Sequence, residues 1–245
     1  MLTLLKKELR LFLTSLTGYT VIVVFLVTTG LFLWVFPLEY NVLQSGFANL
    51  NGLFMLAPFV FLFLVPAITM RSFAEERRNG TMELLFTQPV SDLEIILAKY
   101  LAGVVLLLFS LIPSLIYLIT VYQYGFPAGN IDMGATWGSY LGLFCLGAAF
   151  TAIGLFASSL TDNQIVAFIV AVFLCMIMYL GFEFVYSLDI FGKIDLFIRS
   201  LGINAHYTSM SRGVIDTRDV VYFLSLISFF LLITKISLEK RKWEK

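Results

Sequence analysis

Six runs along the chain are apolar for long enough to cross a bilayer, whose hydrocarbon core of about 30 Å takes about 20 residues of helix. They cover residues 17–36, 52–70, 100–121, 138–159, 164–186 and 220–237. The first, "TGYTVIVVFLVTTGLFLWVF", closes on Trp34 and Phe36 ahead of Pro37, aromatic anchors followed by a helix breaker. It is too long for the apolar region of a signal peptide and no small-residue cleavage site follows it, so a retained helix is expected. Ahead of it, residues 2–16 alternate with helical period. Leu2, Leu5, Leu9, Phe12, Leu13 and Leu16 form one stripe, and Thr3, Lys6, Lys7, Arg10 and Thr14 form the other. That pattern predicts an amphipathic helix lying in the membrane interface. A second one is predicted over 188–201, where Leu188, Phe191, Ile194, Phe197, Ile198 and Leu201 recur at helical spacing. A re-entrant or additional span between 187 and 219 is the alternative.

The polar positions concentrate in residues 71–99. "RSFAEERRNG" reads as a helix leaving the second span, stopped at Asn79-Gly80. Thr81 can cap a short helix, "MELLFTQ", with Met82, Leu85 and Phe86 as its apolar face and Pro89 as its end. Ser91-x-x-Glu94 is the pattern of a capping box that opens the helix of the third span. A simple helix–helix connection needs only about 2–8 residues. The extra length predicts either a solvated elbow or a docking element for a partner at the membrane surface.

Composition agrees with the spans: 60% of the residues are hydrophobic and 13% charged, too few to cover a soluble exterior. The net charge is zero, which argues against nucleic acid as a partner. Twelve of the sixteen basic residues flank the spans on one side, at Lys6, Lys7 and Arg10, at Arg71, Arg77, Arg78 and Lys99, and along the last stretch from Lys235 to Lys245. Loops 37–51 and 122–137 contain no Lys or Arg. The positive-inside rule therefore places both termini and the elbow 71–99 in the cytoplasm. The connection 187–219, expected outside, carries four basic residues balanced by Asp189, Asp195, Asp216 and Asp219.

The fourth span is rich in small residues, with Gly138–Gly142, Gly147–Thr151 and Gly154–Ser158 at the spacing that lets helices approach closely. Packing within the chain and a dimer seam both fit that pattern. Cys145 and Cys175 lie in apolar runs and read as buried hydrophobes. His206 is the only histidine, which disfavours a His-based metal site or triad. There is no nucleotide-binding Gly-rich loop of the form GxxxxGK[ST], no HExxH and no GxSxG. The span centres are nearly free of charge, unlike an ion-coupled carrier, and Glu183 is the one candidate pathway or structural carboxylate. An enzyme is not expected, nor a cofactor on this chain.

The stretch "EERRNGTMELLFTQPVSDLEI", followed by "AKY" ahead of a span, resembles the ABC-2 type transporter permeases, and the six spans with an interfacial N-terminal helix are similar to that family. "SRGVIDTRDVVYFLSLISFFLLITKISLEKRKW" resembles the last span of the gliding-motility-associated branch. The resemblance implies an all-α integral membrane chain with an ABC-2 (type V exporter-like) permease fold, in the bacterial inner membrane. It implies a separate P-loop ATPase subunit as partner, a second permease copy or paralogue, and a further membrane component. By position it places Glu75, Glu76, Arg77, Gly80, Thr81 and Glu83 at the ATPase-facing elbow, with Met82, Leu85 and Phe86 as its apolar contacts. A membrane scaffold that recruits an ATPase and moves no solute is the alternative. The substrate is not legible in the residues.

Overall fold

The computed structural model describes residues 1–82, 90–189, 192–213 and 216–243. These are mostly helical, with no strand among them. Helix α1 (Leu2–Thr14) leads through the extended Ser15 into α2 (Leu16–Gly30), which ends in a π-helical turn, Leu31–Val35. Helices α3 (Asn51–Thr69) and α4 (Arg71–Arg78) meet at Met70. Then come α5 (Asp92–Tyr124) and α6 (Met133–Leu160). Helix α7 (Gln164–Met176) runs through a π-helical turn, Ile177–Gly181, into α8 (Phe182–Ser187). Two short helices, α9 (Asp195–Ser200) and α10 (Ile203–Met210), precede the last, α11 (Thr217–Trp243).

Among the described residues six helical segments are long and apolar enough to cross a membrane. The fourth, α6, is the centre: 78% of its apolar window is buried, against 28% for the first span and 22% for the fifth and sixth. It packs against α3, α4, α5, α7, α10 and α11. Its small residues explain how one helix serves so many neighbours. A β-carbon at Gly138 would lie 2.9 Å from the Gly213 backbone, and one at Gly142 3.0 Å from Met210. Thr151 occupies the space that a side chain at Gly103 would need, and Thr69 lies hard against Gly154. The small-residue stripe is thus spent on packing within the chain, the first of the two readings the spacing allowed. Gly154→Ala is expected to destabilise by about 1–3 kcal/mol through overpacking. Gly134→Ala, in the exposed first turn of the same helix with only Asp132 Oδ1 at 3.4 Å, is the matched control. Thermal melting followed by size exclusion checks both; equal midpoints would show that the close approach carries no stability.

The two ends of the bundle differ in what closes them. At one end the first residue, α4, the start of α5 and the last third of α11 gather around the end of α6, where the Ser237 hydroxyl reaches the Ser159 carbonyl. At the other, α10 closes the bundle. Its Ile203, Tyr207 and Met210 are buried against α6, the Tyr207 hydroxyl donates to the Phe54 carbonyl at 2.6 Å, and Ser139 donates to the Ser211 carbonyl at 2.9 Å. Burial pushes the Tyr207 phenol well above its usual value and keeps that hydroxyl a donor.

Two amphipathic expectations change in detail. Helix α1 turns Leu4, Leu5, Glu8, Leu9 and Phe12 inward, while Leu2 and Leu16 are 67% and 84% exposed, so its bundle-facing stripe is narrower and includes an acid. Between 188 and 201 there is no single helix. A 3₁₀ turn at Gly192–Ile194 and the short α9 break it, and Leu188, Ile194, Leu196, Phe197 and Leu201 stay exposed. Phe191 lies outside the described residues. No described element between 187 and 219 is long enough for a further span.

The segment is nonetheless tied down. Glu183 forms an ion pair with Arg199 at 3.4 Å, and the Arg199 guanidinium sits 5.0 Å over the Tyr186 ring. His206 bridges α10 to α11, with Nδ1 2.7 Å from Asp219 and Nε2 2.8 Å from the Ser200 carbonyl. A carbonyl can only accept, so the Nε2 contact is one in which the ring donates. The ring stacks on Tyr222 at 3.9 Å, whose hydroxyl donates to the Leu201 carbonyl.

Candidate functional site

The candidate site is the end of the bundle where α4 emerges. Phe73 and Ala74 are fully buried and fasten α4 to the bundle, while Arg78, Asn79, Gly80 and Thr81 are exposed at its tip. The tip is a Schellman cap. Gly80 adopts φ +68°, its N–H donates to the Arg77 carbonyl and the Thr81 N–H to the Glu76 carbonyl, both at 3.0 Å. An added β-carbon at Gly80 meets nothing, so its glycine is explained by the left-handed backbone alone. The Thr81 hydroxyl turns back to the Glu76 carbonyl at 3.3 Å. Glu83, Leu85 and Phe86 lie outside the described residues.

Two devices hold α4 rigidly. The first is an ion cluster centred on Lys99, which is 3% exposed. Its ammonium lies 2.8 Å from Glu76 Oε1 and 3.2 Å from Glu8 Oε1, and 5.3 Å over the Phe73 ring. Glu8 is itself 7% exposed. One cation therefore ties α1, α4 and α5 together. Lys99 sits seven residues inside α5 and is no part of a loop. The helix starts earlier than the apolar run suggests, because the Ser91–Glu94 capping box forms. The amino terminus adds a looser contact, 4.0 Å from Glu94.

The second device is Ser158 on α6. Met70 offers α4 no side-chain cap, and Ser158 supplies one from across the bundle: its Oγ accepts from the Phe73 and Ala74 N–H groups at 3.0 and 3.1 Å. The same hydroxyl donates to the Met70 carbonyl at 3.0 Å. A single buried oxygen thus satisfies three backbone groups at the joint between α3 and α4.

The expected elbow residues divide accordingly. Gly80 and Thr81 form an exposed tip together with Arg78, which is not among them, and Glu75 is half-buried beside it. Glu76 faces inward to Lys99. Arg77 is half-buried, and Met82 is 8% exposed and belongs to the main hydrophobic cluster, so neither its side chain nor that of Glu76 is presented as an outer contact. Glu183 lies with α9 and remote from this site in the chain, paired with Arg199. Glu8, Lys99 and Ser158 are the site residues that sequence reasoning missed. Among the described residues no group of three or more metal-ligating side chains occurs.

What the arrangement provides is anchorage: Lys99 ties α4 to α1 and α5, and Ser158 ties its base to α6. Residues 18–234 match a family model described as ABC-2 family transporter protein. None of the curated proteins matches the chain.

Proposed function

Because this chain belongs to the ABC-2 family of transporters, we propose that it is the permease subunit of an export system whose ATP hydrolysis takes place on a separate P-loop ATPase. In this reading the tip of α4 is where that ATPase pushes. The observation that carries it is the combination at α4: exposed and unencumbered at Arg78–Thr81, yet fastened at its base to α1, α5 and α6 through Lys99 and Ser158. A solvated elbow has no need of such anchorage. The termini and the tip face the cytoplasm, as the basic residues suggest, in a bacterial inner membrane. The thinly buried first, fifth and sixth spans leave room for a second permease copy or paralogue. Attachment to a gliding machinery is supported by the resemblance of residues 211–243 alone.

The test is co-purification in mild detergent with the double variant Glu75→Lys/Arg78→Glu. Glu76 is left intact, because a lysine there would face Lys99. Bound ATPase is expected to fall about tenfold or more, the scale on which losing a central charged contact acts, with the size-exclusion profile unchanged. Full retention of a P-loop ATPase and of its activity would refute the tip as docking element. An ATPase bound and hydrolysing with no solute moved in proteoliposomes would favour a scaffold over a permease.

A further inference from the structure

At the end of the bundle opposite the termini, a cleft of about 430 Å³ opens between the start of α3, the π-helical turn after α7, and α10. That size is within the range of small-molecule sites, about 300–1,000 Å³. Its lining is of two kinds: Phe54, Met55, Phe59, Tyr179 and Leu180 are apolar or aromatic, and Asn51, Asn204, Thr208, Ser211 and Arg212 are polar. From Asn51 to Phe59 is eight residues of helix, about 12 Å of depth into the apolar layer. Met55 and Phe59 are 60% and 43% exposed, so the apolar part opens sideways toward lipid.

The polar part has donors to spare and no acid. Among the described residues Arg212 is the only charged one of the lining, and its guanidinium forms no ion pair or hydrogen bond with them. Asn204 Oδ1 accepts from the Thr208 hydroxyl at 3.3 Å, which leaves its amide N–H groups as unused donors. The Asn51 side chain is likewise without a hydrogen bond. The walls are held in place: His206 bonds α10 to Asp219, and Tyr207 bonds α10 to α3. A single cation with amide donors above an apolar trough matches an anionic head, phosphate or carboxylate, carried on a hydrocarbon chain.

We infer that this cleft is a binding site for an anionic amphiphile, with Arg212 and Asn204 holding the head and Met55, Phe59 and Leu180 the chain. The site belongs to this chain alone and goes beyond the ATPase-driven reading, so it stands or falls separately from the partner pull-down.

Native mass spectrometry of the delipidated full-length chain in an equimolar mixture of dioleoylphosphatidylglycerol and dioleoylphosphatidylcholine tests it. Wild type is expected to retain the anionic lipid about tenfold over the zwitterionic one, as one charge-assisted hydrogen-bonded contact provides. Arg212→Gln should erase that preference, and Asn204→Leu, which keeps the wall's volume and removes the amide, should reduce it. Oleate as competitor separates sources: displacement of the phospholipid, lost in Arg212→Gln, identifies a bare carboxylate as sufficient. Equal retention of the two lipids by wild type, or a preference untouched by Arg212→Gln, overturns the assignment.

Discussion

Lys99→Met is expected to lower stability by about 3–5 kcal/mol, the cost of breaking a buried ion pair from one side. Methionine fills nearly the same space, so packing is preserved and the effect isolates charge. What remains is two carboxylates, Glu8 and Glu76, that had converged on one ammonium in a region almost closed to solvent. Glu76 Oε2 already has no hydrogen-bond partner, so nothing else there compensates that acid once the lysine is gone. In a chain of this size the loss corresponds to a fall of about 10 °C in melting midpoint, readable by fluorescence-detected size exclusion in detergent.

The triple variant Glu8→Gln/Glu76→Gln/Lys99→Met separates charge from shape. Replacing a whole buried ion cluster by neutral side chains of similar volume is often close to neutral, so most of the midpoint should return. Non-additivity of this size is what a shared cluster requires. A triple variant as unstable as Lys99→Met would assign the loss to packing, and an unchanged Lys99→Met midpoint would show that the three helices are held by their apolar contacts alone.

The spans were legible because a bilayer imposes length and apolarity on each segment locally, and no long-range information is needed to see them. The Lys99 cluster was harder, since its partners lie 23 and 91 residues away in the chain. A local signal existed all the same. Lys99 shares its helical face with Ile95, Ile96 and Ala102, all buried, and a lysine in such surroundings requires a carboxylate. Glu76 follows Phe73 by three residues and shares its inward face, which an elbow read as uniformly solvated obscures. Lys99 was counted with the loop charge because the apolar run begins at Tyr100, although the Ser91–Glu94 capping box, which forms as expected, already starts the helix at Asp92. Met82 was read as a contact for a partner because, with Leu85 and Phe86, it gives the expected short helix an apolar face; only the fold shows it packed within the chain. The cleft around Arg212 was not legible at all, because it needs three segments from distant parts of the chain to come together.

Ser158→Ala is expected to loosen the base of α4 without disturbing α6. The substitution removes the acceptor of the Phe73 and Ala74 N–H groups and the donor to the Met70 carbonyl, all in a place with no room for water at the serine itself, which is fully buried. Leaving a buried donor unsatisfied costs about 1–3 kcal/mol, so two together predict a loss of about 2–4 kcal/mol, less whatever the joint recovers by relaxing toward an unbroken helix. Its neighbour provides the control. Ser159 is equally buried, but its hydroxyl donates only to the Phe156 carbonyl one turn back. Ser159→Ala should therefore cost about 1 kcal/mol or less. Hydrogen exchange distinguishes the two roles more sharply than melting does: amides of residues 71–78 should exchange faster in Ser158→Ala and be unmoved in Ser159→Ala, since exchange reports the opening of that helix itself. If α4 were a rigid lever only because of its apolar contacts at Phe73 and Ala74, neither variant would change its exchange. The joint at Met70 would then be a passive bend, and transmission would have to pass through those apolar contacts and the Lys99 cluster.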